Sequence, residues 1–287
     1  LYGTTGKNTA TEYLKKLNTI LKDYDSNEFR DKYFEKYYQT EDKKLKRPVK
    51  IESVNNAIKK INSLKRLEAF LFWLYSFCLR GLDGQDVTLV SDKLLVEDYP
   101  LADYIYDFDI EGYDMPIHIE LKRKKTAART FTLLINAYPT LSINELLKEV
   151  IRINRPDDIN EDDGLKLFKW DRLTNKRKWD VYADFLQGRL TEILGFSFKS
   201  TRHTFTSTAD TLGVALSDQS ALIGNKSRKG SIASYSTIDE KRLDYIHLDV
   251  LGQYDIIRTY INLLKHIKET GLMQNAARTL DSQVYEL

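Results

Sequence analysis

The stretch from Leu67 to Leu79 constrains this chain more than any other part of it. From Ala69 onward it runs Ala-Phe-Leu-Phe-Trp-Leu-Tyr-Ser-Phe-Cys-Leu without a charged residue. A helix that is apolar nearly all round has no face to offer water, so it has to run through a core. It is also too short to cross a bilayer, which takes about 20 apolar residues. The rest of the chain must therefore supply elements that wrap it. The lone cysteine, Cys78, sits inside this run and reads as a buried structural thiol, with no partner for an internal disulfide and no zinc-like spacing around it.

Several amphipathic segments can form that wrapping. Residues 8–40 carry Tyr13, Leu14, Leu17, Ile20, Leu21 and Tyr24 at helical spacing, with Thr9 or Thr11 as a start signal. A basic stretch, 43–50, interrupts the pattern at Pro48, which pushes the residue before it out of helical conformation. Helices are predicted over 52–64, 67–79, 144–153, 179–194, 201–212 and 249–267. The last carries Leu251, Tyr254, Ile257, Ile261 and Leu264 on one expected face. Strands are predicted at 104–110, 117–124 and 129–135, rich in β-branched and aromatic residues and joined by short turn-like segments, which gives a three-stranded antiparallel meander. The fold class is mainly α with a small antiparallel sheet (α+β). The expected division is 1–47, a helical unit with its basic linker, and 48–287, a larger domain.

A formal net charge of +2 does not by itself nominate a nucleic-acid partner. The distribution says more. Basic clusters fall at Lys43, Lys44, Lys46 and Arg47, at Lys122, Arg123, Lys124 and Lys125, and at Lys226, Arg228 and Lys229, while acidic residues gather at 97–114 and 157–163. Such segregation can give one basic and one acidic face, though any single cluster also fits a solvated loop. No secretory signal or membrane-spanning run is visible, so a cytoplasmic protein is expected. The chain opens at Leu1 rather than Met and reads as a piece of a longer protein.

The chemistry-bearing pattern is Lys199-Ser200-Thr201-Arg202-His203-Thr204, followed by Gly224 and Tyr235, with Arg80 and Asp83 upstream after the apolar helix. Cleaving a phosphodiester without metal or cofactor needs a nucleophile in line with the leaving oxygen, cations on the transition-state charge and an acid for the leaving group. Arginine suits the second task through its planar, permanently charged fork. Lysine suits the third because its pKa falls readily in a cationic site.

In this order and spacing, the residues resemble the tyrosine recombinase (phage integrase) family over about residues 48–270. The resemblance implies the family's catalytic-domain fold and a catalytic set of Arg80, Lys125, Lys199, Arg202 and Tyr235. Lys122 and Lys124 compete with Lys125 for the hairpin lysine, and Arg80 could instead simply cap a helix end. Asp83 takes the acidic place after Arg80, and His203 completes the Arg-His-Thr run. Where the family usually has Leu-Gly-His, this chain has Ile223-Gly224-Asn225-Lys226, leaving Asn225, or Lys226 in its stead, to support the phosphate. Among 18 tyrosines, Tyr235 is favoured by its small neighbours Ser234 and Ser236.

The resemblance further implies a 3′-phosphotyrosyl intermediate without metal or other cofactor, integration or excision of a mobile genetic element, and double-stranded DNA attachment sites as partner. A monomer alone would assemble as a homo-tetramer on DNA. Residues 1–47 would end a core-binding domain, and Lys43, Lys44, Lys46, Arg47, Lys122, Arg123, Lys124 and Arg228 would track the DNA backbone. A type IB topoisomerase uses similar chemistry. Outside this class stand a DNA-binding architectural or regulatory protein without catalysis, which Asn225 favours, and a helical scaffold with accidental basic patches.

Overall fold

In the computed structural model the chain separates into two units, Leu1–Lys46 and Arg47–Leu287. The structure describes residues 48–96, 117–122, 130–195, 197–224 and 240–274, all of them in the second unit. The predicted helix over 8–40 and the strand over 104–110 lie outside these residues.

The described part is mainly helical with a two-stranded antiparallel sheet. At its centre is α2 (Leu64–Cys78), preceded by α1 (Ile51–Ile58). Sequence periodicity predicts α1 to run on to Leu64. The chain instead breaks at 59–63, because Ser63 turns extended and its hydroxyl accepts from the Arg66 backbone N–H at 3.4 Å, starting a new helix. From Leu67 to Cys78 every side chain of α2 is buried, as its composition requires.

After α2 come a single turn, α3 (Gly84–Val87), and a 3₁₀ turn, Asp92–Leu94. The hairpin follows, β1 (His118–Lys122) and β2 (Thr130–Leu134), paired from His118 with Leu134 to Lys122 with Thr130. On the other edge of β1 the chain at Leu95 bridges Ile119, and the Val96 N–H reaches the His118 carbonyl at 3.0 Å. Ile119 and Leu121 point into the core while Glu120 and Lys122 point outward, the alternation expected of a half-buried strand.

The shell around α2 is built by α4 (Thr140–Asn154), α5 (Lys176–Leu194) and α6 (Ser200–Thr211). Aromatic rings fill the interfaces: Phe72 meets Tyr182 of α5 edge-on at 5.4 Å, and Phe77 meets Phe205 of α6 at 5.8 Å. The Trp73 indole N–H donates to the Ser200 hydroxyl at 3.0 Å. One carboxylate is drawn into this core. Glu68, at 0% exposure, accepts from Arg155 Nε at 2.9 Å and Asn154 Nδ2 at 2.8 Å. Burial raises its pKa despite the arginine. Burial likewise pushes the Cys78 thiol up to about 12, so it is inert.

A short α7 (Leu216–Leu222) then leads to Gly224, and α8 (Glu240–Gln253) and α9 (Ile256–Thr270) close the described fold. The sequence predicts one helix over 249–267, but Asp255 adopts a left-handed conformation, φ 52°, and divides it. The kink resets the register of the apolar face. Ile256, Tyr260, Leu263 and Ile267 face the core, whereas Ile257, Ile261 and Leu264 of the expected face are exposed. Tyr254 is buried against Phe77, with ring centroids 4.5 Å apart.

Candidate active site

Arg80 sits where α2 stops. It and Gly81 both take left-handed conformations, φ 58° and 65°, which turn the chain back on the helix end. The Gly81 N–H then reaches the Phe77 carbonyl at 3.3 Å and the Leu82 N–H the Ser76 carbonyl at 3.2 Å. For glycine this geometry costs nothing steric; for an arginine it costs about 1 kcal/mol or more. The side chain supplies the compensation. It is 1% exposed, its Nη2 donates to Asp244 Oδ1 of α8 at 2.6 Å, and its Nη1 donates to the Thr132 carbonyl of β2 at 3.1 Å. Asp83, three residues on, caps α3 by accepting from the Gln85 N–H at 3.3 Å.

Arg202 approaches the same turn from α6. Its Nε donates to the Gly81 carbonyl at 3.1 Å, and the guanidinium-bearing residue is only half-buried. Contact between α6 and the turn is close enough that a Cβ on Gly81 would stand 2.6 Å from Arg202 Cα. Lys199 lies at the start of α6, exposed, and His203 is half-buried beside Arg202. Thr204 anchors the helix on its other side: its hydroxyl donates to the Ser200 carbonyl at 2.8 Å and accepts from the Val49 N–H at 3.0 Å. The Val49 carbonyl in turn accepts from the Tyr254 hydroxyl at 2.8 Å, so the segment at Val49 is held by both α6 and the residue that follows α8.

Gly224, at φ +63°, packs against β2, where a Cβ would lie 2.7 Å from the Phe131 ring. The structure thus brings together the Arg80 turn, the Arg202 helix, β2 and Gly224, segments far apart in sequence. Lys122 is exposed near the closed end of the hairpin. Lys125, Asn225, Lys226 and Tyr235 lie outside the described residues, as do Lys43, Lys44, Lys46, Arg47, Arg123, Lys124 and Arg228.

Three buried polar residues at this junction were not foreseen. Asp244, 1% exposed, gives one carboxylate oxygen to Arg80 and the other to His118 Nε2, also at 2.6 Å. His118 shares the strand face of Glu120 and Lys122, yet it is buried, with its Nε2 set against the Asp244 carboxylate of α8. His247, one turn after Asp244, donates from Nε2 to the Cys78 carbonyl at 2.7 Å, since a carbonyl can only accept. Burial first, and the Arg80 charge second, hold its pKa well below the usual histidine value, so it stays neutral.

Elsewhere, a cavity of about 330 Å³ lined by Arg155, Trp170, Arg177, Lys178 and Tyr182 contains none of the predicted site residues. Among the described residues there is no cluster of metal-ligating side chains and no helix long and apolar enough to cross a membrane. In comparisons with known proteins, no family model, no curated protein and no solved structure matches the chain.

Proposed function

We propose that this chain is a site-specific DNA strand-transferase of the tyrosine recombinase type. The observation that carries the reading is the hydrogen bond from Arg202 Nε to the Gly81 carbonyl. It joins the two arginine-bearing segments that the motif pairs, although 121 positions separate the bonded residues. The hairpin that leads to Lys125 contributes the Thr132 carbonyl to the same cluster, and Gly224, which opens the segment leading to Tyr235, packs on Phe131 of that hairpin.

In this proposal Tyr235 attacks the scissile phosphorus, losing its phenolic proton to solvent as the new O–P bond forms. The P–O5′ bond breaks and the 5′ oxygen departs with a proton from Lys125. Arg202, the more accessible arginine, and Arg80 stabilise the added negative charge, with Lys199 and His203 at its edge and Asn225 or Lys226 supporting the phosphate. Attack by a 5′ hydroxyl on the phosphotyrosine reverses the steps and rejoins the strand. The proposal extends to a recombinase catalytic-domain fold with 104–110 as third strand, a tetramer on duplex DNA, integration or excision of a mobile element, and residence at cytoplasmic DNA.

A second reading has its own observation. Arg80 is almost wholly buried and already ion-paired with Asp244, which suits a DNA-binding protein that does not cleave. Incubating wild type and Tyr235→Phe with nicked duplex from the ends of the parent element, without metal, separates the two. An SDS-resistant protein–DNA band with wild type alone supports the strand-transferase. Salt-sensitive binding to a verified site without that band supports the second reading and sinks the first.

A further inference from the structure

Asp244 belongs to no motif in the sequence, yet its single carboxylate ties three separate elements at one buried point. Oδ1 accepts from Arg80 at the end of α2, Oδ2 accepts from or pairs with His118 at the start of β1, and the residue itself rides on α8. That helix begins at Glu240, shortly after Tyr235 in the chain. Each of the three side chains is about 1% exposed, so water does not compete for these contacts.

We propose that Asp244 is the positioning residue of the candidate site: it sets where the Arg80 guanidinium stands and fastens the helix following the nucleophile to it. This rests on the strand-transferase reading above. Arg80 leaves a helix end through a left-handed turn, and its long side chain has many rotamers open to it. Two fixed acceptors, Asp244 Oδ1 and the Thr132 carbonyl, remove that freedom by holding Nη2 and Nη1 at once. Asp244 is itself held, because His118 occupies its second oxygen and stops the carboxylate from rotating. The role is one of orientation: Asp244 touches neither phosphate nor nucleophile in this proposal. The same contact holds the Arg80 guanidinium and α8 in one frame. A misplacement of about 1 Å in such a frame can slow the chemical step ~100-fold.

The test is a double-mutant cycle on single-turnover adduct formation with the nicked duplex at saturating protein. Wild type, Arg80→Ala, Asp244→Asn and the double variant are compared, with DNA affinity and Tm recorded for each. The expected result is an adduct rate ~100-fold lower for Asp244→Asn with affinity unchanged, and a double variant no slower than Arg80→Ala alone. A wild-type rate in Asp244→Asn overturns the inference. So does a double variant whose losses multiply, since general destabilisation would act with or without Arg80. Should Asp244→Asn not fold, His118→Ala frees the second oxygen while leaving the Arg80 pair charged. It should slow the step about tenfold, and only when Arg80 is present; an unchanged rate overturns the inference equally. Absence of any adduct from wild type overturns the strand-transferase reading itself, and the inference falls with it by that separate route.

Discussion

Gly81→Ala tests the contact on which the candidate site is built. Two costs follow from the structure. Alanine at φ +65° pays about 1–2 kcal/mol for a left-handed conformation that glycine adopts freely. The new Cβ would also stand 2.6 Å from Arg202 Cα and 3.1 Å from Arg202 N. These are backbone atoms of a packed helix, so neither can swing aside as a side-chain tip would. Overpacking of this kind costs about 1–3 kcal/mol. Together the two give roughly 2–5 kcal/mol, and a midrange loss near 3 kcal/mol would lower Tm by about 6–12 °C for a unit of this size. Urea unfolding followed by circular dichroism reads the loss directly, with an unchanged m-value showing that stability alone has moved. Gly188→Ala is the internal control: it lies mid-helix in α5 with nothing within 4 Å of the built Cβ, and should stabilise by about 0.5–1 kcal/mol. A Gly81→Ala loss below about 1 kcal/mol would refute the close approach of α6 to the Arg80 turn.

Other expectations follow from the same buried cluster. Arg80→Met leaves the Asp244 carboxylate buried without its cation and should cost about 3–5 kcal/mol in urea unfolding, whereas loss within 1 kcal/mol would mean the pair is not buried. His247 is held neutral in the fold, so below the unfolded-state pKa of about 6.5 the unfolded chain binds the extra proton and stability falls as pH drops. Relative to His247→Gln, wild type should lose up to about 1.4 kcal/mol per pH unit on going below that value, and equal slopes would contradict the burial. Tyr254→Phe removes the hydroxyl that holds the Val49 carbonyl and should cost about 1–2 kcal/mol; a neutral result would show that the segment at Val49 is not fastened there.

How far the sequence foretold this molecule depended on the kind of signal. The burial of α2 was legible because a segment with no polar face admits few alternatives. The division between α8 and α9 was not, because a left-handed Asp255 leaves the apolar spacing on either side nearly continuous and only shifts its phase. The short α7 escaped for want of enough residues to show a period. At the site, Arg80 and Arg202 stood out through their neighbours in the chain. Asp244 could not: an acid among Leu243, Tyr245 and Ile246 looks like the polar side of a helix until the fold sets it against an arginine 164 positions away. His118 was hidden similarly, since strand alternation alone puts it on the face of Glu120 and Lys122, and only the fold sets the Asp244 carboxylate against it.

The central claim is a covalent bond between DNA and one tyrosine. After reaction of the wild-type chain with nicked attachment-site duplex in the presence of a metal chelator, proteolysis and mass spectrometry of the SDS-resistant complex would identify the linked residue, and end-labelling would identify the released terminus. The account predicts a 3′-phosphate on the peptide containing Tyr235 and a free 5′ hydroxyl on the departing strand. Linkage to another residue, a 5′-phosphate attachment, or no linkage on a site the protein demonstrably binds would contradict it.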